Sequence, residues 1–144
     1  MESDISKQKD KFIEGLISVI FGLAKLAEAR DKETGGHLKR MAEYTRALAQ
    51  TLRKTEKFEK VIDYYFIYFL YHASYLHDIG KLGIPEDILL KTGMLSIEDF
   101  EIIKTHTTIG ADILRESDKD HPNIDFIKSD SLRILFINIK LVCI

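Results

Sequence analysis

The stretch that decides the fold spans residues 64–85 and reads YYFIYFLYHASYLHDIGKLGIP. It belongs to a predicted helix over about Phe58 to Asp78, in which apolar residues face every direction. A helix of this kind is typical of a central position, because neighbouring elements must cover all of its sides. The glycines and the proline that follow predict a loop, so His77 and Asp78 stand where the central helix ends.

The segments around this centre are also predicted to be helical, because apolar residues recur in them at every third or fourth position. Ser96 and Asp99 resemble a capping box, which marks the start of one of these helices. The predicted helices run from about Ser3 to Asp31, His37 to Arg53, Pro85 to Leu90, Ser96 to Lys104 and Thr107 to Glu116. Residues 132–144 alternate locally like a strand, in a chain whose pattern is otherwise all-α.

The composition is that of one soluble helical domain. The chain has 144 residues, of which 45% are hydrophobic, 31% are charged and two are proline. This length allows one domain. The formal net charge of −2 excludes a strongly basic surface for a nucleic acid polymer or an anionic membrane. A single cysteine, Cys143, and an N-terminus without a secretory signal or long apolar run predict a cytoplasmic protein.

The pair His77–Asp78 is the strongest candidate for chemistry. An imidazole nitrogen beside a carboxylate is a ligand set for Fe, Mn or Zn, and a carboxylate can also bridge two ions. Lys81 would face the same site in a continuing helical turn, where its ammonium can contact a phosphate oxygen. Taken alone, such a pair is more often a hydrogen bond at a helix end, so the dyad leaves both interpretations open.

The other histidines divide into two groups. His37 and His106 stand near predicted helix ends, which can converge in a bundle, although His106 taken alone resembles an exposed polar residue. His72 lies about 140° around the helix from His77, so we do not expect it to be a co-ligand. His121 precedes a proline in a loop and carries no predicted role.

Residues 76–85 closely resemble the signature segment of the HD-GYP family, bacterial metal-dependent phosphodiesterases of the wider HD phosphohydrolase superfamily. Three further segments match in the family's order, namely residues 26–37, 88–93 and 104–111. The resemblance covers about residues 12–123. It implies an all-α HD-domain helical bundle around two divalent metal ions, with Fe or Mn more plausible than a structural zinc because no cysteine ligand set is present.

The resemblance also implies a substrate and roles for single residues. The family's substrate is cyclic di-GMP, a bacterial second messenger in signal transduction, whose 3′–5′ phosphodiester is hydrolysed by in-line attack of water on phosphorus. Asp78 matches the bridging carboxylate, and Lys81 matches the residue beside the scissile phosphate. The positions that match metal ligands are His37, His77, Asp78, His106 and, for an additional metal in some members, Glu33.

The sequence departs from the family after residue 125. A paired His-His is expected near residues 130–135, where this chain reads DSLRIL, and the Gly-Tyr-Pro loop and a later Asp are missing. We therefore expect half of a dinuclear site in a bundle that is incomplete at its C-terminus, with weak or no turnover. The expected division is residues 1–31 as a helix or linker, 32–125 as the N-terminal half of an HD-GYP-like domain, and 126–144 as a divergent tail. Truncation, a frameshift and a genuine short variant all stay open.

Three functions remain in competition. The first is a cyclic di-GMP phosphodiesterase domain, and the second is a general nucleotide phosphohydrolase of the HD superfamily. The third is a non-catalytic helical module for dimerisation or nucleotide binding, which the missing half-site favours. Loss of the covering helices would leave an apolar face on the central helix, so a homo-oligomer is expected in each case.

Overall fold

The computed structural model describes residues 2–30 and 36–120, and every regular element within these ranges is helical. The α-helices are α1 (Glu2–Arg30), α2 (His37–Arg53), α3 (Tyr64–Ala73), α4 (Glu86–Leu89), α5 (Ile97–Lys104) and α6 (His106–Asp120). Two 3-10 turns, Ser74–Leu76 and Ile79–Gly83, link α3 to α4. The all-α prediction is confirmed for this part of the chain.

The C-terminal half of α1 packs against α2 and the first 3-10 turn. Ala24 is buried together with Leu38 and Ala42 of α2, and Tyr75 closes the same cluster. The ring of Phe21 meets Tyr75 edge to face, with 5.1 Å between the ring centroids. The backbone of α1 lies closer to the two 3-10 turns than to α2, so α1 is held against the segment that carries the His-Asp pair.

The central helix differs from its prediction at both ends. It begins at Tyr64, because the Asp63 side chain accepts a hydrogen bond from the Phe66 backbone N–H at 2.7 Å and caps the helix there. Residues 54–61 form turns instead. The α-helix ends at Ala73 and tightens into the first 3-10 turn, which is a common way for a helix to finish.

Among the described residues the central helix is covered on one side only, and its other side is the uncovered apolar face expected for a bundle that lacks its later helices. Ile67, Leu70 and Ala73 are buried on one side of α3, whereas Tyr64 and Tyr65 are each 75% exposed. The spacing of the buried residues is that of an amphipathic helix. The tyrosine-rich side of α3 is therefore an apolar surface within the described part of the protein.

The shorter helices follow the local signals in the sequence. Ser96 Oγ accepts a hydrogen bond from the Asp99 backbone N–H at 3.1 Å, and Asp99 Oδ2 accepts one from the Ser96 N–H at 3.0 Å. This confirms the capping box at the start of α5. Pro85 precedes α4, as its fixed φ favours.

Two findings concern the chain as a whole. No helix among the described residues is both long and apolar enough to cross a membrane. The strand-like pattern at 132–144, Cys143 and the predicted tail at 126–144 lie outside the described residues, and those expectations stay predictions.

We predict that Asp63→Ala lowers the free energy of unfolding by about 1 kcal/mol, because the first turn of α3 loses an acceptor for its backbone N–H. Urea denaturation at fixed metal content measures this change. Asp63→Asn is the matched control, since its amide oxygen keeps the acceptor and should leave the midpoint nearly unchanged. Equal losses in both variants would contradict the capping role.

Candidate metal centre

His77 and Asp78 lie between the two 3-10 turns. His77 ends the first turn, and Asp78 stands immediately before the second with φ −106° and ψ 8°, values that belong to neither helix nor strand. This bend brings the two neighbouring side chains together, with 3.1 Å between His77 Nε2 and Asp78 Oδ2. The junction of the two 3-10 turns thus brings the His77 and Asp78 side chains into contact, as the dyad in the sequence indicates.

Lys81 reaches the same carboxylate. Its Nζ lies 2.8 Å from Asp78 Oδ2. Side chains three residues apart eclipse one another in a 3-10 helix, which explains why the ammonium stands directly over the carboxylate. The predicted convergence of Lys81 with the dyad is therefore present, through a 3-10 turn instead of an α-helical one.

His37 enters from the start of α2. The preceding Gly36 has φ 95°, in the left-handed region that favours glycine. His37 Nε2 lies 3.2 Å from His77 Nε2, and His37, His77 and Asp78 each offer a ligand atom within 4.8 Å of the others. Two ligands that bind one ion at about 2.1 Å lie roughly 3 Å apart, so the separations of 3.1 and 3.2 Å suit a shared cation.

His106 approaches Asp78 from the opposite side. It is the first residue of α6 and only 3% exposed. Its Nε2 lies 3.5 Å from Asp78 Oδ1, the oxygen that His77 and Lys81 do not contact. That nitrogen is buried and has no hydrogen-bond partner among the described residues. An unpaired buried nitrogen that faces a carboxylate oxygen is the arrangement that a bound cation would satisfy.

Backbone carbonyl groups fix which nitrogen each ring presents. His77 Nδ1 lies 2.8 Å from Ser74 O, and His106 Nδ1 lies 2.6 Å from Ile103 O. A carbonyl oxygen only accepts, so each Nδ1 carries a proton and donates it. In the neutral ring Nε2 then holds the free lone pair, as in metal-binding histidines whose other nitrogen is held by a carbonyl. Both rings therefore present ligand nitrogens to Asp78.

The electrostatics keep this carboxylate ionised. Burial alone would raise the pKa of Asp78, but the hydrogen bond and charge of His77, together with the Lys81 ammonium, outweigh it. The pKa of Asp78 therefore lies well below its usual range. Burial lowers the pKa of His77, and the hydrogen bond and charge of Asp78 reverse this to leave it raised. Imidazole and carboxylate donors in this arrangement fit a divalent transition metal.

Gly80 permits the approach of α6 to the second 3-10 turn. A Cβ atom added at Gly80 would lie 1.8 Å from the His106 carbonyl oxygen and 2.7 Å from the Gly110 nitrogen. Both of these atoms belong to the backbone and cannot swing away. In the sequence Gly80 indicates only a loop, and no local pattern shows that it allows His106 to reach Asp78.

Arg30 is a second residue that the sequence analysis missed. It ends α1, and its Nη1 donates a hydrogen bond to the Leu82 carbonyl oxygen at 2.7 Å. This bond ties α1 to the 3-10 turn that carries Lys81. The sequence signal was a basic residue at the end of a helix, within one of the segments that resemble the HD-GYP pattern.

The structure thus brings together five of the predicted site residues, which are His37, His77, Asp78, Lys81 and His106. Glu33 lies outside the described residues, and its proposed role stays a prediction. His72 stands apart, packed edge to face against Tyr68 and Tyr71 with ring-centroid distances of 4.6 and 5.0 Å.

Comparison with known proteins agrees with this geometry. The HD domain family matches residues 34–135. The chain is 39% identical over 119 residues to a probable cyclic di-GMP phosphodiesterase of Vibrio cholerae. The aligned stretch covers 83% of this chain and 27% of that protein. It is 43% identical over 102 residues to a cyclic di-GMP phosphodiesterase of Thermotoga maritima, with coverages of 71% and 26%.

A third relative is named for a different cyclic dinucleotide. The chain is 36% identical over 99 residues to the 3′3′-cGAMP-specific phosphodiesterase 2 of Vibrio cholerae. The aligned stretch covers 69% of this chain and 17% of that protein. The chain therefore spans about a quarter or less of the length of these curated relatives.

We predict that Gly80→Ala destabilises the protein by about 1–3 kcal/mol, because the added methyl group forces the second 3-10 turn away from α6. The same displacement separates His106 from Asp78, so bound metal should fall as well. Thermal unfolding and metal content measure the two effects.

Gly110→Ala is the graded control, because its Cβ would meet its nearest neighbour at 3.3 Å instead of 1.8 Å. We expect it to change the melting temperature much less. A Gly80→Ala protein with unaltered melting and metal content would show that this close approach does not hold the site.

Proposed function

The chain belongs to the HD domain family, and from this premise we propose that it carries the metal site of a phosphodiesterase that hydrolyses a cyclic dinucleotide, with cyclic di-GMP as the first candidate. One observation carries the proposal. The ionised Asp78 carboxylate lies between His77 and His106, each of which faces a different carboxylate oxygen with Nε2. Such a carboxylate is the group that bridges two ions in two-metal hydrolysis.

The residues present would hold the ions at two positions. His37, His77 and Asp78 would hold one of them. Oδ1 of Asp78 and His106 mark the other. We propose Fe or Mn for both, and Glu33 as a further ligand. When bound, these ions lower the pKa of water and neutralise phosphoryl oxygens.

The chain's own side chains would perform the remaining tasks. Asp78 stays ionised at neutral pH and contributes a fixed negative charge to both proposed metal positions. Lys81 is a half-buried ammonium beside that carboxylate, and we propose that it contacts a non-bridging phosphate oxygen and stabilises charge in the transition state. The carbonyl groups that bind Nδ1 of His77 and His106 keep both rings in orientation throughout.

The 3′–5′ phosphodiester would be broken by in-line attack of water, with a ribose 3′-oxygen as the leaving group. We also propose that the protein acts in the cytoplasm. Weak or absent turnover of this chain, a general nucleotide phosphohydrolase activity and the predicted division at residues 31 and 125 all remain predictions.

A non-catalytic module for self-association is the second candidate. The observation that favours it is the exposed tyrosine side of α3, with Tyr64 and Tyr65 each 75% exposed. An apolar surface of this kind typically marks an interaction site. A homo-oligomer is compatible with either function, so only turnover separates the two.

A substrate panel tests the proposed function. The protein, loaded with Fe or Mn under reducing conditions, is incubated with cyclic di-GMP, 3′3′-cGAMP, and nucleoside mono- and triphosphates, and products are separated by chromatography. Linear dinucleotide from a cyclic dinucleotide alone supports the proposal. Hydrolysis confined to the mononucleotides would favour the broader HD activity, and metal-loaded protein without any turnover would favour the non-catalytic module.

We predict that Asp78→Ala abolishes metal retention, because both ion positions lose their shared ligand. Lys81→Ala should retain metal and lower any turnover by about 10²–10³-fold, since the ammonium acts on phosphate. Elemental mass spectrometry measures the metal. Asp112→Ala is the matched control, because Asp112 pairs with Arg115 on the surface of α6 and should leave both readouts unchanged. Equal metal loss in the Asp78 and Lys81 variants would contradict this division of roles.

A further inference from the structure

One side of α1 carries a row of exposed apolar side chains. Each member of the row is between 49% and 67% exposed. Monomeric proteins rarely leave so continuous an apolar surface in water. The members are Ile5, Phe12, Leu16, Val19, Leu23 and Leu26.

The spacing of this row is that of a coiled-coil seam. From Phe12 onward the intervals alternate between four and three residues, and Ile5 lies one heptad before Phe12. An alternation of three and four gives an average period of 3.5, which keeps a seam facing a partner helix. In the heptad, Leu16 and Leu23 occupy position a, and the other four members of the row occupy position d. Lys9 takes the remaining a position.

This seam is separate from the stripe that α1 uses within its own domain. Ala24 and Ala27 are buried on the inner side of the helix, and Phe21 packs there on Tyr75. Arg30, one heptad after Leu23, bonds the Leu82 carbonyl oxygen of its own domain, so the seam ends before it. One helix therefore has two apolar faces, of which the fold occupies only one.

The surroundings of the seam allow a second helix to approach. A Cβ atom added at Gly15 or Gly22 would meet no atom within 4 Å in the described structure. These glycines occupy successive g positions beside the seam, where a large side chain would hold a partner away. The neighbouring charged residues Asp10, Lys11 and Glu14 lie on the other positions of the heptad.

The N-terminal half of α1 needs a partner to be stable as a helix. From Lys7 to Leu16 every residue is exposed, so this part gains little from packing on its own domain. Isolated helices of about 12–15 residues are marginal in water, and packing of an apolar face is what stabilises them. Within residues 2–30 and 36–120, nothing covers this part of α1.

We propose that α1 pairs with α1 of a second copy of this chain and forms a two-stranded coiled coil along residues 5–26. A heptad seam is complementary to itself, and a two-fold axis sets the same face of both copies together. The seam covers roughly 33 Å of helix and three heptads, which is the length that a sustained coiled-coil pattern requires. Lys9 is a polar residue at heptad position a, and such a residue limits the number of helices in a coiled coil.

None of the described candidate ligands lies on α1, so the proposed pairing does not use any of them. The proposal does not depend on the proposed function, and metal content provides an independent readout of the fold. Failure of self-association would leave the phosphodiesterase proposal unaffected. Failure of turnover would leave the coiled coil unaffected.

The first test is the mass of the full chain in solution. Sedimentation or light scattering should give twice the chain mass of 16.6 kDa at high concentration, and the melting temperature should fall on dilution. The double variant Leu16→Lys and Leu23→Lys should have the mass of one chain with unchanged metal content. Both leucines are about half exposed in one copy, so their replacement leaves the domain itself intact.

The matched control is Glu14→Lys with Ser18→Lys, which adds more positive charge to α1 but outside the seam. It should keep the mass of two chains. A wild-type protein with the mass of one chain at every concentration would overturn the proposal. So would a seam variant that still has the mass of two chains.

A cross-linking test checks the seam itself. With Cys143→Ser to remove the native thiol, Leu16→Cys should form a disulfide-linked dimer on mild oxidation, whereas Glu14→Cys should not. Leu16 lies near the middle of the seam and meets its counterpart whether the helices run parallel or antiparallel. Equal cross-linking at both positions would show that the contact is not the seam, and would overturn the proposal.

Discussion

The ion pair of one buried carboxylate is the interaction on which the described structure depends. Asp78 is largely removed from water, and an isolated charge in that position would be costly. Lys81 and His77 offset the charge at one oxygen, while His106 faces the other. These groups come from separate elements, so satisfying one carboxylate requires the two 3-10 turns and the start of α6 to meet.

Contacts between distant parts of the chain hold the two 3-10 turns and the start of α6 together. Arg30 binds the Leu82 carbonyl oxygen across 52 residues, and His37 meets His77 across 40. Gly80 removes the side chain that would keep α6 from the second 3-10 turn. Each contact acts on backbone or on a ring, so packing between distant segments holds the candidate ligands near one another.

Sequence patterns predict the helices well where the signal is local. The capping box of Ser96 and Asp99 and the helix from His37 to Arg53 are confirmed. The central helix is predicted too long because Phe58, Val61 and Ile62 continue a helical spacing of apolar residues before it, whereas the cap from Asp63 decides the boundary. The pair His77–Asp78 and Lys81 are candidates on local chemistry alone, whereas the ligand roles of His37 and His106 were found through the resemblance to a family pattern. The roles of Gly80 and Arg30 were not, because they depend on packing between segments that no local pattern relates.

Helix α1 links the candidate metal centre to the proposed dimer, because the helix that anchors the second 3-10 turn also carries the exposed heptad seam. The central claim nevertheless rests on Asp78. A crystal structure of the manganese-loaded protein, with anomalous scattering recorded near the manganese edge, tests it most directly. The account predicts anomalous density between the Asp78 carboxylate and Nε2 of His77 or His106. Density only at other residues, or full manganese content without density at Asp78, would contradict it.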